Sequence, residues 1–190
     1  MTHYNKFSEV SYNPKITYWR FRVKIHKVYP FYPYVTNIGP FYTYVLADEE
    51  GTKMEMTIFG NSERFRGLEK QEGQWVEIFR VEVNRFYPGF QSTNSRFSLT
   101  ATSNTQVHII DPLNNRLFMD FKNIHAIPHM DHKDQNYPID TMGVVFNTEA
   151  HFDEPARPRM VFYIRDKLTV RSNVWQLAIM PMPSAMVLKR

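Results

Sequence analysis

The chain has 190 residues, with 23 Lys and Arg against 19 Asp and Glu for a formal charge of +4, and it holds 15 Phe, 11 Tyr and 3 Trp but no Cys. The missing thiols exclude a disulfide scaffold, Cys-ligated zinc and a thiol nucleophile. No apolar run approaches the roughly 18 residues of a spanning helix, and the opening Met1-Thr2-His3-Tyr4 carries no apolar signal core, so no membrane partner is expected and a nuclear or cytosolic protein is. The basic excess alone is weak evidence for a polyanionic partner. The aromatic excess says more, because many of these rings stand beside Arg or Lys, and the function turns on where they point.

Short alternating runs of β-branched and aromatic residues dominate, which predicts an all-β chain. Tyr18 to Ile25 reads as a strand with Trp19, Phe21, Val23 and Ile25 on one side and Arg20, Arg22 and Lys24 on the other. Tyr29 to Pro40 is a loop rich in Pro, with Tyr29, Phe31, Tyr32 and Tyr34 on it. A hairpin follows, Phe41 to Ala47 and Lys53 to Phe59, turning at Asp48-Glu49-Glu50-Gly51; Met54, Met56 and Ile58 alternate along its second arm. Asn61-Ser62-Glu63 offers a cap for a short helix to about Glu69, with Phe65 and Leu68 as its buried stripe. Strands from about Gln74 to Val83 and within Phe97 to Ile110 close the unit. Three strands, a helix and two strands is the element order of a five-stranded Greek-key OB barrel.

From 111 to 137 the pattern loosens into a linker, with a short helix or strand at Phe118 to Ile124. A second set of strands, Ile139 to Thr148, Met160 to Arg165 and Lys167 to Ile179, matches the front half of another barrel, ahead of the Met180-Pro181-Met182-Pro183 tail. The expected organisation is an OB-fold nucleic-acid-binding domain over 1–110, a linker over 111–137, and an incomplete second OB-like unit with an apolar tail over 138–190.

These residues resemble the single-stranded-DNA-binding barrels of the replication protein A large subunit. Phe21-Arg22-Val23 looks like the family's first strand and Leu46-Ala47-Asp48-Glu49-Glu50-Gly51 like its hairpin. Thr57-Ile58-Phe59-Gly60, Phe65 and Gly73 resemble the stretch through the helix, and Phe90 to Val107 the closing strand. Phe118 to Ile124 is similar to the family's inter-barrel segment, and Tyr137 to Val145 to the entry of its second barrel. The resemblance implies a base-stacking aromatic at Tyr42, a first-strand Arg at Arg22, and a second stacking position that falls on Ile78, beside Phe79 and ahead of Phe86.

A groove for single strands needs cations along the backbone and aromatic platforms for bases. The expected nucleic-acid-binding residues are therefore Arg20, Arg22, Lys24 and Arg85 for phosphates, with Tyr42, Tyr44, Phe86 and Tyr87 as aromatic contacts. A solvated basic strand with loop aromatics plugging the barrel ends is the competing reading. DNA is the expected strand, with RNA left open, in replication, repair or recombination in the nucleus. The alternative is an OB-fold scaffold subunit that binds protein through the incomplete second barrel and tail 174–190. His125, His129, Asp131 and His132 lack the Cys partners of structural zinc, Asp48 and Glu49 read as solvated turn residues, and no phosphate-loop, GxSxG or HExxH motif occurs. No catalysis, metal or cofactor is expected.

Overall fold

The computed structural model describes residues 3–13, 16, 18–31, 41–59, 63–86, 91–130, 137–151, 159–165, 175–179 and 186–189. They divide into two compact units, Met1–Phe118 and Met119–Arg190. Tyr32, Tyr34, Asn61, Ser62, Tyr87, Asp131, His132 and Met180 to Pro183, all named above, lie outside the described residues.

In the first unit β1 (Arg20–Phe31), β2 (Phe41–Ala47), β3 (Lys53–Ile58), β4 (Trp75–Arg85) and β5 (Phe97–Ile110) close a barrel in the order β1-β2-β3-β5-β4. β3 meets β5 in parallel from Glu55↔Ser98 to Thr57↔Thr100, the joint that turns a meander into an OB barrel. β1 serves two neighbours, β4 along Arg20 to Lys24 and β2 along Lys24 to Phe31, with a register shift between Ile25 and Lys27. A bulge of this kind bends a strand so that it can leave one partner for the next. The strand therefore runs six residues beyond Ile25. It takes in Pro30, opposite Tyr42, where β4 no longer flanks β1 and a missing N–H breaks no second ladder.

Phe21, Val23, Ile25, Leu46, Met54, Met56, Val76, Ile78, Val81 and Leu99 fill the interior and are all fully buried. The N-terminal 3-10 turn Phe7–Glu9 adds Phe7, whose ring lies 5.0 Å from Phe21, and Trp19 stacks on Phe21 at 5.9 Å. The expected short helix is instead two 3-10 turns, Glu63–Phe65 and Leu68–Lys70. Gly67 separates them at φ +85°, a left-handed conformation that no α-helix continues through. Phe65 and Leu68 still pack on the core. The unit also extends past Ile110 to Phe118, because Trp75 faces outward and Phe118 covers it edge-on at 6.0 Å, together with Ala47 and Ile110.

The second unit holds a two-residue parallel pair, β6 (Phe121–Lys122) with β7 (Asp140–Thr141), and an antiparallel sheet of β8 (Val144–His151), β9 (Arg159–Arg165), β10 (Trp175–Ile179) and β11 (Met186–Lys189) in that order. β8-β9-β10 repeats the β1-β2-β3 meander, and β8 has a register shift between Val145 and Asn147, as β1 has at its own middle. Where β5 joins β3 in parallel, β11 joins β10 antiparallel, so this sheet stays open. It is an incomplete OB-like unit, and β11 is a strand within what the sequence reads as a loose tail.

Candidate nucleic-acid interface

Alternation along β1 puts Arg20, Arg22 and Lys24 outside the barrel, opposite the buried Phe21, Val23 and Ile25. The three cations do not stand free. Arg20 is ion-paired with Glu77, its Nε donating to Oε1 at 2.6 Å, and Arg22 donates to Glu49 at 2.7 Å. The Tyr4 ring lies over both guanidinium groups, 4.8 Å and 4.3 Å from centroid to Cζ, and Tyr4 also donates its hydroxyl to Glu77 at 3.0 Å. Asn5 fastens this segment to the strand edge through its N–H to the Arg20 carbonyl at 2.7 Å. Lys24 is different: its Nζ donates to the Arg116 carbonyl at 2.9 Å, a neutral acceptor that leaves the charge uncompensated.

Tyr44 is not a stacking platform. It is 1 % exposed and sits in the barrel core, and burial pushes its phenol well above the usual tyrosine range. Tyr42 is partly buried against the same core, its ring 6.4 Å from that of Tyr44. The reason is strand parity. Tyr42, Tyr44 and Leu46 pair with Ile58, Met56 and Met54, the apolar side of β3, so all six turn inward. Phe41, Thr43 and Val45 turn outward with Glu55, Thr57 and Phe59.

That outer face of β2 and β3 has two halves. Toward Ala47 it is covered: Glu55 accepts the Ser92 N–H at 3.0 Å, and Val45 and Thr93 are buried beside it. Burial pushes the Glu55 carboxyl up, with the Ser92 hydrogen bonds opposing the shift. Toward the other end Phe41, Thr43 and Thr57 are partly buried and Phe59 is exposed. Phe59 is 63 % exposed, and its ring lies 5.5 Å from Phe41 at 45°. Sequence reading passes over this pair, although its parity opposite Leu46 marks it as outward.

On β4 the family-like stacking position, Ile78, is fully buried, so its side chain faces the core. The outward neighbour Phe79 lies between two guanidinium groups, Arg20 at 5.6 Å and Arg80 at 5.1 Å. Arg80 is exposed and sits at a register break with φ +60°. Its carbonyl accepts the buried Thr105 hydroxyl at 2.6 Å, which holds the bulge. Farther along, Arg85 is exposed with its Cζ 5.1 Å from the Tyr12 ring, and Phe86 is partly buried. Neither Arg80 nor Arg85 meets a carboxylate among the described residues.

Asp48 is no solvated turn residue. It is buried, with Oδ1 accepting the N–H groups of Glu50 at 3.1 Å and Thr52 at 2.9 Å, and Oδ2 accepting that of Phe7 at 3.0 Å. It ties the hairpin to the N-terminal segment, three of its about four acceptor sites being taken by backbone N–H groups. Among the described residues no three His, Cys, Asp or Glu gather as a metal site would need, and no helix is long and apolar enough to cross a membrane.

Residues 10–129 match the family model described as domain of unknown function DUF223. No curated protein matches the chain significantly. A solved replication protein A heterotrimer bound to ssDNA aligns with TM-score 0.60 and 15% identity, over 93% of this chain and 41% of that one. The chain thus spans about two fifths of that chain's length. Two further structures, described as "Structural mimicry for functional antagonism" and "Molecular basis for abrogation of activation of pro-inflammatory cytokines", align at TM-score 0.43 with 12% and 14% identity over 90% of this chain, too loosely to bear on fold or function. The replication protein A likeness is one of fold, and it agrees with the closed five-stranded barrel and the half-barrel that follows. With more than half of its length matched by the family model, the chain is a member of the DUF223 domain family, built on a replication-protein-A-like OB barrel.

Proposed function

We propose that this protein binds single-stranded nucleic acid, DNA by preference, on the outside of its first barrel, and that it acts without catalysis in nuclear DNA replication, repair or recombination. One observation supports this above the others: an OB barrel like that of a structure solved on ssDNA carries guanidinium groups and aromatic rings interleaved on its outer surface. Lys24 and Arg85 hold phosphates directly. Arg22 and Arg20 do so to the extent that Glu49 and Glu77 release them, and Phe86 follows Arg85 directly beyond the end of β4. Tyr42 contributes at most the part of its ring that the core leaves open.

The test is an anisotropy titration of the whole chain with labelled dT oligonucleotide, the matching RNA and a duplex, at two salt concentrations. Tight single-strand binding that salt weakens and duplex does not share is the expected result. No binding at low salt would refute the reading.

A second reading has its own observation. On β8 the side chains of Val144, Val145 and Phe146 are exposed on an open-edged sheet, as a scaffold surface for a protein partner would be. Removal of residues 174–190 should then release such a partner in pull-downs while leaving oligonucleotide affinity intact.

A further inference from the structure

A positive φ is rare for any residue that carries a Cβ and rarest for a bulky one, so where it occurs the surrounding structure imposes it. Phe118 has φ +54°. It ends a strap, residues 114–118, that crosses the outer face of the barrel. The Asn114 carbonyl accepts the Trp75 Nε1–H at 3.2 Å, and the Asn114 side chain accepts the Arg116 N–H at 3.0 Å. The Phe118 ring then closes over Trp75, Ala47 and Ile110. The turn between β2 and β3 makes room for that ring, since a Cβ on Gly51 would stand 3.0 Å from it.

This fitting fixes two cations in place. The Arg116 Cζ lies 5.1 Å from the Phe118 ring centroid and the Lys24 Nζ lies 6.0 Å from it. Lys24 also donates to the Arg116 carbonyl at 2.9 Å, and Arg116 donates through Nη1 to the Glu49 carbonyl at 3.4 Å. Each of these partners is a neutral oxygen or the face of a ring. The Glu49 carboxylate is taken by Arg22 and that of Glu50 by Lys6, so neither Lys24 nor Arg116 is ion-paired among the described residues. Lys24 is also where β1 passes from one neighbour to the next, paired with Trp75 on one side and Ala47 on the other. Two cations without a counter-charge, restrained by one ring, give up less freedom on meeting an anion than free side chains would.

We infer that Lys24 and Arg116 form a seat for one backbone phosphate of the bound strand, assembled by the 114–118 strap at the Ala47 end of the barrel. The inference rests on the single-strand reading above. It adds Arg116, which neither the sequence pattern nor the family resemblance singles out, and it makes a segment that reads as linker part of the interface. Phosphate contacts of this kind position a strand without reading its bases.

The experiment is an anisotropy titration of the full chain with a labelled dT oligonucleotide over a salt series, and with a labelled oligoglutamate peptide at low salt. Wild type is compared with Lys24→Gln, Arg116→Gln, the double variant and Arg116→Lys, with thermal melts alongside. Each Gln variant should weaken dT binding about 3- to 10-fold at low salt, and the double variant should lower the salt slope by about 0.7, the value for one phosphate on a single strand. Because both cations serve the same phosphate, the double variant should lose less than the product of the single losses. Arg116→Lys keeps the charge and should keep the wild-type slope. A double variant with wild-type dT affinity and slope, at equal melting temperature, would overturn the seat while single-strand binding stands. The seat also falls if that variant binds dT normally and loses oligoglutamate, which would give the corner to an acidic protein partner. Should the double variant melt early, Arg116→Gln decides, because its side chain is exposed, and wild-type dT affinity there overturns the seat. If wild type binds no single strand, both readings fall.

Discussion

Glu55 is a carboxylate held where water is scarce, its burial opposed by hydrogen bonds from Ser92. Because its native pKa is raised, the unfolded chain loses the Glu55 proton first as pH climbs through the ordinary glutamate range. Stability then falls with rising pH until the native carboxyl ionises too, and it does not recover above that. Glu55→Gln, which keeps an oxygen for the Ser92 N–H, should raise the urea midpoint at about pH 7 and leave it nearly unchanged at about pH 4. An equal shift at both would show that ionisation is not the cause. Tyr44 makes the complementary case. Tyr44→Ala empties a core position and should cost about 3–5 kcal/mol in equilibrium unfolding. Tyr44→Phe should leave oligonucleotide affinity within about twofold, since the ring faces the core and its loss of a hydroxyl removes no ligand contact. Both outcomes follow from parity, which was present in the sequence: Tyr42 and Tyr44 stand at even spacing from Leu46 and across from Met54, Met56 and Ile58. An outward reading of these two had to overlook their partner strand.

The β2-β3 hairpin shows how an element is fixed by residues outside it. Asp48 gathers three backbone N–H groups, one of them from Phe7. Gly51 turns the chain at φ +92°, where an added Cβ would stand 3.0 Å from the Phe118 ring. Asp48→Ala should cost about 3 kcal/mol through orphaned buried donors, and Gly51→Ala about 1–2 kcal/mol through backbone strain and the crowded ring, both read by urea denaturation. A Gly51→Ala variant as stable as wild type would mean that Phe118 yields easily and that residues 111–118 are loosely held. The turn was legible from Asp48 to Gly51 as local chemistry. That Asp48 is buried was not, because its burial comes from an N-terminal segment 41 residues away.

At the scale of the molecule, charge is distributed so that much of it cancels. Lys6, Arg20, Arg22, Lys27 and Arg66 each face a carboxylate, whereas Lys24, Arg64, Arg80 and Arg85 face carbonyls or rings. Affinity for a single strand should fall linearly with log salt. Arg85→Ala should reduce that slope by about 0.7, the value for one phosphate contact on a single strand. Arg20→Ala should act first on stability, by taking the cation from Glu77, a half-buried acid that keeps only the Tyr4 hydroxyl among the described residues. Equal slopes for Arg85→Ala and wild type would remove Arg85 from the groove. The second unit repeats the first three strands of the barrel and then departs from it at β11, which joins β10 antiparallel and leaves the sheet open, with Val144, Val145 and Phe146 exposed on β8.

What the sequence by itself determined is the succession of the five barrel strands and the alternation along β1, because alternation and turn chemistry are local and the barrel's element order follows from them. Phe21, Val23 and Ile25 inside, Arg20, Arg22 and Lys24 outside and the OB succession were all readable on that basis. Only the tertiary structure decided which outward residues are available. Glu77 and Glu49 lie 57 and 27 residues from the arginines they neutralise, Tyr4 comes from beyond the strand to cover both, and Phe59 meets Phe41 only through the hairpin register. Pairing and exposure are properties of contacts distant in the chain, and a strand's own pattern carries no record of what will be laid against its outer face.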